Sequence, residues 1–106
     1  MKYLVTVKRR DNVPVPPEAV GGILSAQRDW IRERLADGTF DVAYGFPQGG
    51  GGIAILNAES AEELSDILIG SPVFAIAELT AQPLAEIDVT LGNAIQALQR
   101  ATAVPA

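Results

Sequence analysis

Short apolar segments alternate with charged, glycine-rich or proline-rich stretches along the whole chain. Residues 2–8 (KYLVTVK) are rich in β-branched and aromatic residues, which is typical of a β-strand. The same composition recurs in residues 39–46 (TFDVAYGF), 52–58 (GIAILNA) and 73–82 (VFAIAELTAQ). The pattern therefore predicts four strands, with the proline-rich residues 11–17 as the loop after the first.

A longer segment, residues 18–36, has the periodicity of a helix. Its apolar residues recur four and seven positions apart and its other side is charged, so it predicts an amphipathic helix. Asp37-Gly38 ends the helix, because glycine readily adopts the left-handed capping conformation. Gly21-Gly22 weakens the first turn, so we expect either a later start or a close backbone approach to another element. The apolar stripe is Val20, Leu24, Ile31 and Leu35, with Ile23, Gln27 and Arg34 on the adjoining row.

Two further helices are predicted. Ser60 and Glu63 form a capping box, in which each side chain satisfies a free backbone donor at the start of a helix. Gly70 and Pro72 stop that helix. Residues 89–101 predict a third helix with a narrow apolar stripe that is typical of an oligomer contact; the stripe consists of Leu91, Ile95 and Leu98.

The order β-α-β-β-α-β predicts an α+β domain of the ferredoxin-like type over residues 1–86, followed by a helical extension over residues 87–106. In that fold the helices cover one face of the sheet and leave the other face open. The predicted strands are apolar on both sides, although an open antiparallel face is normally polar. We therefore expect a second copy of the chain to cover the open face.

Composition and charge narrow the range of functions. The 106 residues suffice for one domain and include no Cys and no His, which excludes thiolate chemistry and histidine-based catalysis or metal binding. Without an Asp-rich calcium-type loop either, neither a metal nor a cofactor is expected. The net charge of −5 argues against a nucleic-acid partner. Neither a membrane-spanning run nor a signal sequence is seen, so we expect a cytoplasmic protein without a membrane partner.

The four consecutive glycines at positions 49–52 invite comparison with a phosphate-binding loop. That motif follows a strand, opens a helix and ends in Gly-Lys-Ser/Thr. Here the glycines lie between two predicted strands and no lysine follows them. We interpret them as a flexible hairpin connection.

The second half of the chain contains a set of residues in a distinctive spacing: Glu59-Ser60, Glu63-Leu64, Ile67-Leu68, Gly70, Pro72, Phe74 and Pro83-Leu84. In this set the chain resembles the muconolactone isomerase family. The resemblance implies a ferredoxin-like fold over residues 1–86, paired into a dimeric α+β barrel, and a small cofactor-free enzyme. The family pattern has a glutamate on strand 4 where this chain has Thr80, and Glu78 lies two residues earlier.

The reaction that the resemblance implies shifts a double bond in a small unsaturated lactone. It needs a base, a donor for the enolate oxygen and a dry pocket. Glu78 is the leading candidate base, because an apolar strand would desolvate its carboxylate and raise its pKa; the alternative is a Glu paired with Arg or facing a partner. Asp41 is the next candidate, unless it is an exposed strand charge. Tyr44 is a candidate donor, unless it is a core residue.

Five residues are candidates for substrate binding. Trp30 borders the apolar stripe of the first helix and could wall a pocket for a flat ring, or simply pack. Arg28 and Arg32 would suit a substrate carboxylate, or else be solvated helix charges. Tyr3 and Asn57 are further polar candidates.

Two functions remain open. The first is a cofactor-free isomerase, or a related cyclase or oxygenase, acting on a hydrophobic ring compound in the catabolism of aromatic compounds or in secondary metabolism. The second is a non-catalytic oligomeric domain for ligand binding or assembly. A buried, unpaired Glu78 beside a closed pocket would favour the enzyme.

Overall fold

The structure, a computed structural model, describes residues 1–103 and has seven elements. They follow the order β-α-β-β-α-β-α, so the prediction of a ferredoxin-like α+β fold is confirmed. None of the described helices is both long and apolar enough to cross a membrane. The elements are β1 (Lys2–Arg9), α1 (Pro17–Ala36), β2 (Phe40–Gly45), β3 (Gly51–Asn57), α2 (Ala61–Ile69), β4 (Ala77–Leu84) and α3 (Ile87–Thr102).

The four strands form one antiparallel sheet in the order β2-β3-β1-β4. The long strand β1 lies in the centre, where it pairs with β3 on one side and β4 on the other. Successive side chains of a strand point to opposite faces. Register therefore assigns every strand residue either to the face that α1 and α2 cover or to the other, open face.

The core lies on the helix-covered face. Tyr3 and Val5 of β1 stand opposite Leu56 and Ala54 of β3, and these side chains are buried. The partly buried side chains that pack against this core come mainly from the two helices: Trp30 and Ile31 of α1, and Leu64, Ile67 and Leu68 of α2.

The helix α2 begins as the sequence predicts. The Ser60 hydroxyl accepts a hydrogen bond from the Glu63 backbone N–H at 3.1 Å, and the Glu63 carboxylate accepts one from the Glu59 backbone N–H at 3.2 Å. The first contact satisfies a donor that the first turn of the helix leaves free. In the second, Glu63 reaches the N–H of the residue before the cap, whereas the predicted box pairs it with the Ser60 N–H.

Strand β4 begins four residues later than predicted. Residues 72–76 form turns instead, in which the Phe74 N–H donates to the Ser71 carbonyl and the Ile76 N–H donates to the Val73 carbonyl, both at 3.0 Å. The apolar run that begins at Val73 was misleading, because local turn hydrogen bonds replace strand pairing there. The open face of β4 is consequently polar, with Glu78, Thr80 and Gln82 on it.

Neither expectation about Gly21-Gly22 is correct. Helix α1 begins at Pro17, a residue well suited to a first helical turn. No atom outside the helix backbone lies within 4 Å of a Cβ built on either glycine. The helix has no buried residue, and Leu24 on its apolar side is 57% exposed. The apolar side of α1 is therefore only partly covered by its own sheet.

The glycine run is more than a flexible connection. Gly49 and Gly50 have φ of 84° and 82°, the left-handed region that favours glycine. Gly51 already belongs to β3, and a Cβ on it would lie 1.9 Å from the Val7 carbonyl oxygen. Close approach of the backbones of β1 and β3 therefore requires glycine at this position.

The helix α3 lies outside the body of the domain. All of its residues are exposed, and the described chain measures 70 × 31 × 26 Å. The predicted helix over residues 89–101 is confirmed with slightly wider bounds, while residues 104–106 of the predicted extension lie outside the described residues. An apolar stripe that stays more than half exposed in one copy is available to a partner.

Candidate functional site

A cavity of about 430 Å³ lies between α1 and the helix-covered face of the sheet. Its volume is typical of sites for small molecules. Nearly all of its lining is apolar, because it is enclosed by the core-facing side chains of the strands and the apolar side of α1. The aliphatic side chains that line it include Val5, Val7, Ala43, Ala54, Leu79, Val20, Ile23, Leu24 and Ile31.

Aromatic rings form one wall of the cavity. Trp30 of α1 and Phe40 of β2 both line it, and their ring centroids are 5.4 Å apart with planes at 79°. The Arg34 guanidinium lies 5.9 Å from the centroid of the Trp30 ring. Edge-to-face packing and a cation over the ring both hold the indole in place. Trp30 lies where a pocket wall was predicted, and its contact with a ligand stays a prediction.

One polar pair interrupts the apolar lining. The Ser71 hydroxyl, in the connection between α2 and β4, donates a hydrogen bond of 2.9 Å to Gln27 Oε1 on α1. Both residues line the cavity. Ser71 is only 5% exposed and is the one buried polar residue identified within residues 1–103. The pair couples α1 to the turn that precedes β4 and gives the cavity its neutral polar groups.

Charge is scarce in the cavity. Among the described residues that line the cavity, Arg9 is the only one whose side chain carries a full charge at neutral pH. Neither Asp nor Glu is among them. Arg9 takes part in none of the ion pairs found within residues 1–103. The same described residues contain no group of three Asp or Glu side chains that could hold a metal ion. One copy of the cavity thus offers a cation and an amide but no carboxylate base.

The open face carries a polar network near the start of β2. Lys2 Nζ donates to the Asp41 carboxylate and, at 2.9 Å, to Asn57 Oδ1. Asn57 Nδ2 donates to Asp41 Oδ1 at 2.7 Å and to the Gly38 carbonyl at 3.1 Å. The hydrogen bonds from Lys2 and then Asn57 lower the pKa of Asp41. A carboxylate with a lowered pKa is a weaker base.

The family model that describes muconolactone delta-isomerase matches residues 1–88. The chain belongs to the muconolactone delta-isomerase family. The match ends at the start of α3, so most of that helix lies outside the part that the family model describes. No curated protein was found to match the chain significantly in sequence.

Two solved structures share the fold. A muconolactone isomerase structure at 3.3 Å resolution superposes with a TM-score of 0.71 and 16% identity, covering 81% of this chain and 90% of that one. A 5-chloro-2-hydroxyhydroquinone dehydrochlorinase from Burkholderia phenoliruptrix, in complex with 2,5-dihydroxybenzoquinone, superposes with a TM-score of 0.58 and 16% identity. That comparison covers 81% of this chain and 95% of the dehydrochlorinase. At this identity the two structures establish a common fold.

The three predicted catalytic residues lie on the open face, and of the three Tyr44 alone also borders the cavity. Glu78 is the second residue of β4, opposite Lys8 of β1, and it is exposed. The expected desolvation is therefore absent in a single copy. Tyr44 is 66% exposed and pairs with Ile53 in the sheet. Asp41 lies in the irregularity of β2 between Phe40 and Val42.

The other predicted residues are dispersed. Arg28 and Arg32 are exposed on α1, and Arg32 Nη1 lies 4.0 Å from Asp29 Oδ1. Tyr3 is 5% exposed in the core, and its hydroxyl lies 3.7 Å from Met1 Sδ. Asn57 is engaged in the network with Lys2. None of these four residues lines the cavity, so their roles in substrate binding stay predictions without support from a shared site.

Three polar or charged residues of the cavity lining were not among the predicted site residues: Gln27, Ser71 and Arg9. Gln27 had a detectable signal, because it is a polar residue on the apolar side of a helix. Ser71 and Gln27 are 44 residues apart in the chain. Only the packing of α1 against the connection after α2 brings them together.

Proposed function

We propose that the chain is a small cofactor-free enzyme that moves a double bond in an unsaturated lactone or a related hydrophobic ring compound, and that the ring binds in the cavity beneath α1. The observation that carries this proposal is the apolar cavity of about 430 Å³ with an aromatic wall and a neutral polar pair. Membership of the muconolactone delta-isomerase family supports the reaction class.

The chemistry conserves all atoms of the substrate. A base removes a proton from the carbon next to the carbonyl, the electrons move onto the carbonyl oxygen, and the proton returns further along the conjugated system. An apolar surrounding strengthens every electrostatic contact made with the enolate oxygen. The cavity supports the binding half of this reaction, with Arg9 available to an anionic substituent at its edge.

Within residues 1–103 no carboxylate lines the cavity, so the base has to come from outside the cavity of the same copy. We propose that Glu78 supplies this function and that it acts on a ring held by a second copy of the chain. Glu78 is exposed on the edge strand β4, between Ala77 and Leu79, which line the cavity on the other face. Sheets paired face to face would leave both cavities on their outer sides, so the copy that binds the ring has to present its cavity across this edge. Asp41 is next in line, although its lowered pKa makes it the weaker base.

Assembly of at least two copies is therefore part of the proposal. Apolar side chains on the open face, among them Leu4, Ile53 and Ile55, are only partly buried in one copy. A second sheet would cover them and complete a dimeric α+β barrel. The unpartnered stripe of α3 provides a second surface for contact between copies.

Intersubunit complementation tests the proposal. Glu78→Gln removes the base, and Ala43→Phe fills the cavity without removing a polar group. Each variant alone should fail to isomerise α-angelica lactone, whose exchange with heavy water is followed by NMR. Co-expressed dimers should recover roughly a quarter of the parent rate, since half are mixed and each mixed dimer keeps one intact site. No recovery would contradict a base supplied by the second copy.

The alternative is a non-catalytic binding domain, and the lack of a carboxylate in the cavity favours it. The same measurement separates the two functions. A parent protein that binds the lactone yet exchanges none of its protons above the background rate would be a binding domain.

A further inference from the structure

Within residues 1–103, the one side-chain hydrogen bond between two residues of the cavity lining joins Ser71 to Gln27 and is partly buried. Helix α1 presents Gln27 among apolar neighbours, one turn from Ile23 and Ile31, which also line the cavity. A polar side chain in such a place costs free energy unless it is hydrogen-bonded. The contact with Ser71 satisfies only one end of the Gln27 amide.

In the structure, the hydrogen bond from Ser71 leaves the nitrogen of the Gln27 amide free. The Ser71 backbone is engaged in the turn, since its N–H donates to the Leu68 carbonyl at 3.1 Å and its carbonyl accepts from the Phe74 N–H at 3.0 Å. Its hydroxyl proton goes to Gln27 Oε1 at 2.9 Å. Within residues 1–103, Gln27 Nε2 donates to no protein acceptor. The two N–H bonds of that nitrogen are thus available beside the cavity.

We propose that Gln27 Nε2 is the hydrogen-bond donor for the carbonyl oxygen of the bound ring, and that Ser71 is a positioning residue that holds the amide in this orientation. The inference rests on the proposed function, because it takes the cavity to be the ring-binding site. It adds a chemical requirement: the ligand carries a carbonyl at the end of the ring that faces Gln27.

The same donor would stabilise the enolate more than the lactone, because negative charge collects on that oxygen when the proton leaves. Removing one such donor from an oxyanion site lowers kcat by about 10²-fold or more. For a ground-state carbonyl the loss is smaller, about 2- to 10-fold in Kd. The amide of Gln27 should therefore affect kcat more than binding.

The test uses γ-valerolactone, which has the ring and the carbonyl but no double bond to move, with an isotope label on the carbonyl carbon. Hydrogen bonding lowers the carbonyl stretching frequency, so infrared spectroscopy reports the contact directly. The bound ligand should absorb at lower frequency in the parent than in Gln27→Leu. Ser71→Ala should give an intermediate or broadened band, because the amide is no longer held in one orientation.

A matched control is Gln48→Leu, the same substitution at an exposed position in the connection between β2 and β3, outside the cavity lining. It should leave both the carbonyl frequency and the Kd unchanged. Methyltetrahydrofuran, the corresponding ring without the carbonyl, should bind the parent and Gln27→Leu equally well.

The outcomes separate this inference from the function on which it rests. If γ-valerolactone causes no NMR shifts in the cavity methyl groups of Val20 and Leu24, both proposals are wrong. If it binds there with the same carbonyl frequency in the parent and in Gln27→Leu, only the donor role is wrong. A preference for a hydroxyl-bearing ring over the lactone would show that the amide is reversed and presents its oxygen.

Discussion

The two faces of the sheet differ in the chemistry that their side chains allow. The helix-covered face is apolar apart from one hydrogen-bonded pair and Arg9 at a cavity of about 430 Å³. The open face carries the other charged groups of the strands, among them Glu78 and the Lys2–Asp41 pair. The cavity and the candidate bases thus lie on opposite sides of a single layer of backbone. The proposed function therefore requires a second copy to bring a base to the bound ring.

The largest expected effect comes from the proposed base. Glu78→Gln keeps the size and hydrogen-bonding capacity of the side chain but removes proton transfer. The rate of exchange of α-angelica lactone in heavy water should fall by about 10²- to 10⁴-fold, the usual contribution of a positioned base. Binding of γ-valerolactone in the cavity, measured by NMR titration, should stay the same.

Tyr44→Phe is the companion variant on the same face. It removes one donor and leaves the base, so its effect on exchange should be smaller than that of Glu78→Gln. An exchange rate in Glu78→Gln equal to that of the parent would take the reaction away from Glu78, and Asp41→Asn would then be the next variant to measure.

The second prediction concerns the apolar part of the open face. Ile55 stands between Leu4 and Val42 across the neighbouring strands. Ile55→Lys would place an unpaired charge in a sheet-to-sheet interface, which costs about 3–5 kcal/mol and should weaken the dimer by more than about 10²-fold. Sedimentation at low micromolar concentration should show no folded monomer for the parent and a monomeric or unfolded variant.

The matched control is Ser65→Lys on the exposed side of α2, which adds the same charge away from the sheet. It should leave the sedimentation coefficient unchanged. A parent that sediments as a stable folded monomer would contradict the dimer altogether.

Much of the fold could be predicted from the sequence because local signals agree with one another. The Ser60–Glu63 box, the stop at Gly70 and the β-branched run of β1 each act within a few residues, and each lies where predicted. The start of β4 could not be predicted in the same way. Residues 73–76 have the composition of a strand, but backbone hydrogen bonds with Ser71 and Val73 fold them into turns.

The site was harder to predict than the fold because it depends on register and on distant packing. Glu78 was recognised as an ionisable group in a strand, yet its face is set by pairing with Lys8 across the sheet. Trp30 was recognised because a large aromatic residue at the edge of a helical stripe is visible in the sequence alone. The contact between Gln27 and Ser71 has no local signal that could reveal it.

The third prediction asks whether the open face alone holds the copies together. Truncation after Glu86 removes α3 with its exposed Leu91, Ile95 and Leu98. A helix of this length is marginal in water unless its apolar side is covered, so we expect the helix to dock on a neighbouring copy. The truncated chain should show a smaller oligomer, or a melting temperature lower by about 4–8 °C for each kcal/mol lost.

The double change Leu91→Ser with Leu98→Ser keeps the helix length and should act in the same direction. An unchanged oligomer and melting temperature in both variants would make α3 dispensable for assembly.

The smallest expected effect tests the polar network of the open face. Hydrogen bonds from Lys2 and Asn57 lower the pKa of Asp41 from its ordinary 3.8, so the native state favours the charged carboxylate more than the unfolded chain does. The network therefore stabilises the fold above pH 3.8, and this contribution is lost as the pH falls through the lowered native pKa.

Lys2→Met removes the first cause of the shift and should move the pKa of Asp41 back towards 3.8, as measured by NMR titration of its carboxyl carbon. Lys8→Met, which removes a lysine from the other end of the same face, is the matched control and should leave that pKa in place. If Asp41 titrates in Lys2→Met as it does in the parent, the contact with Lys2 has no influence on the charge of Asp41. Asp41 would then be a stronger candidate for the base than its hydrogen bonds imply.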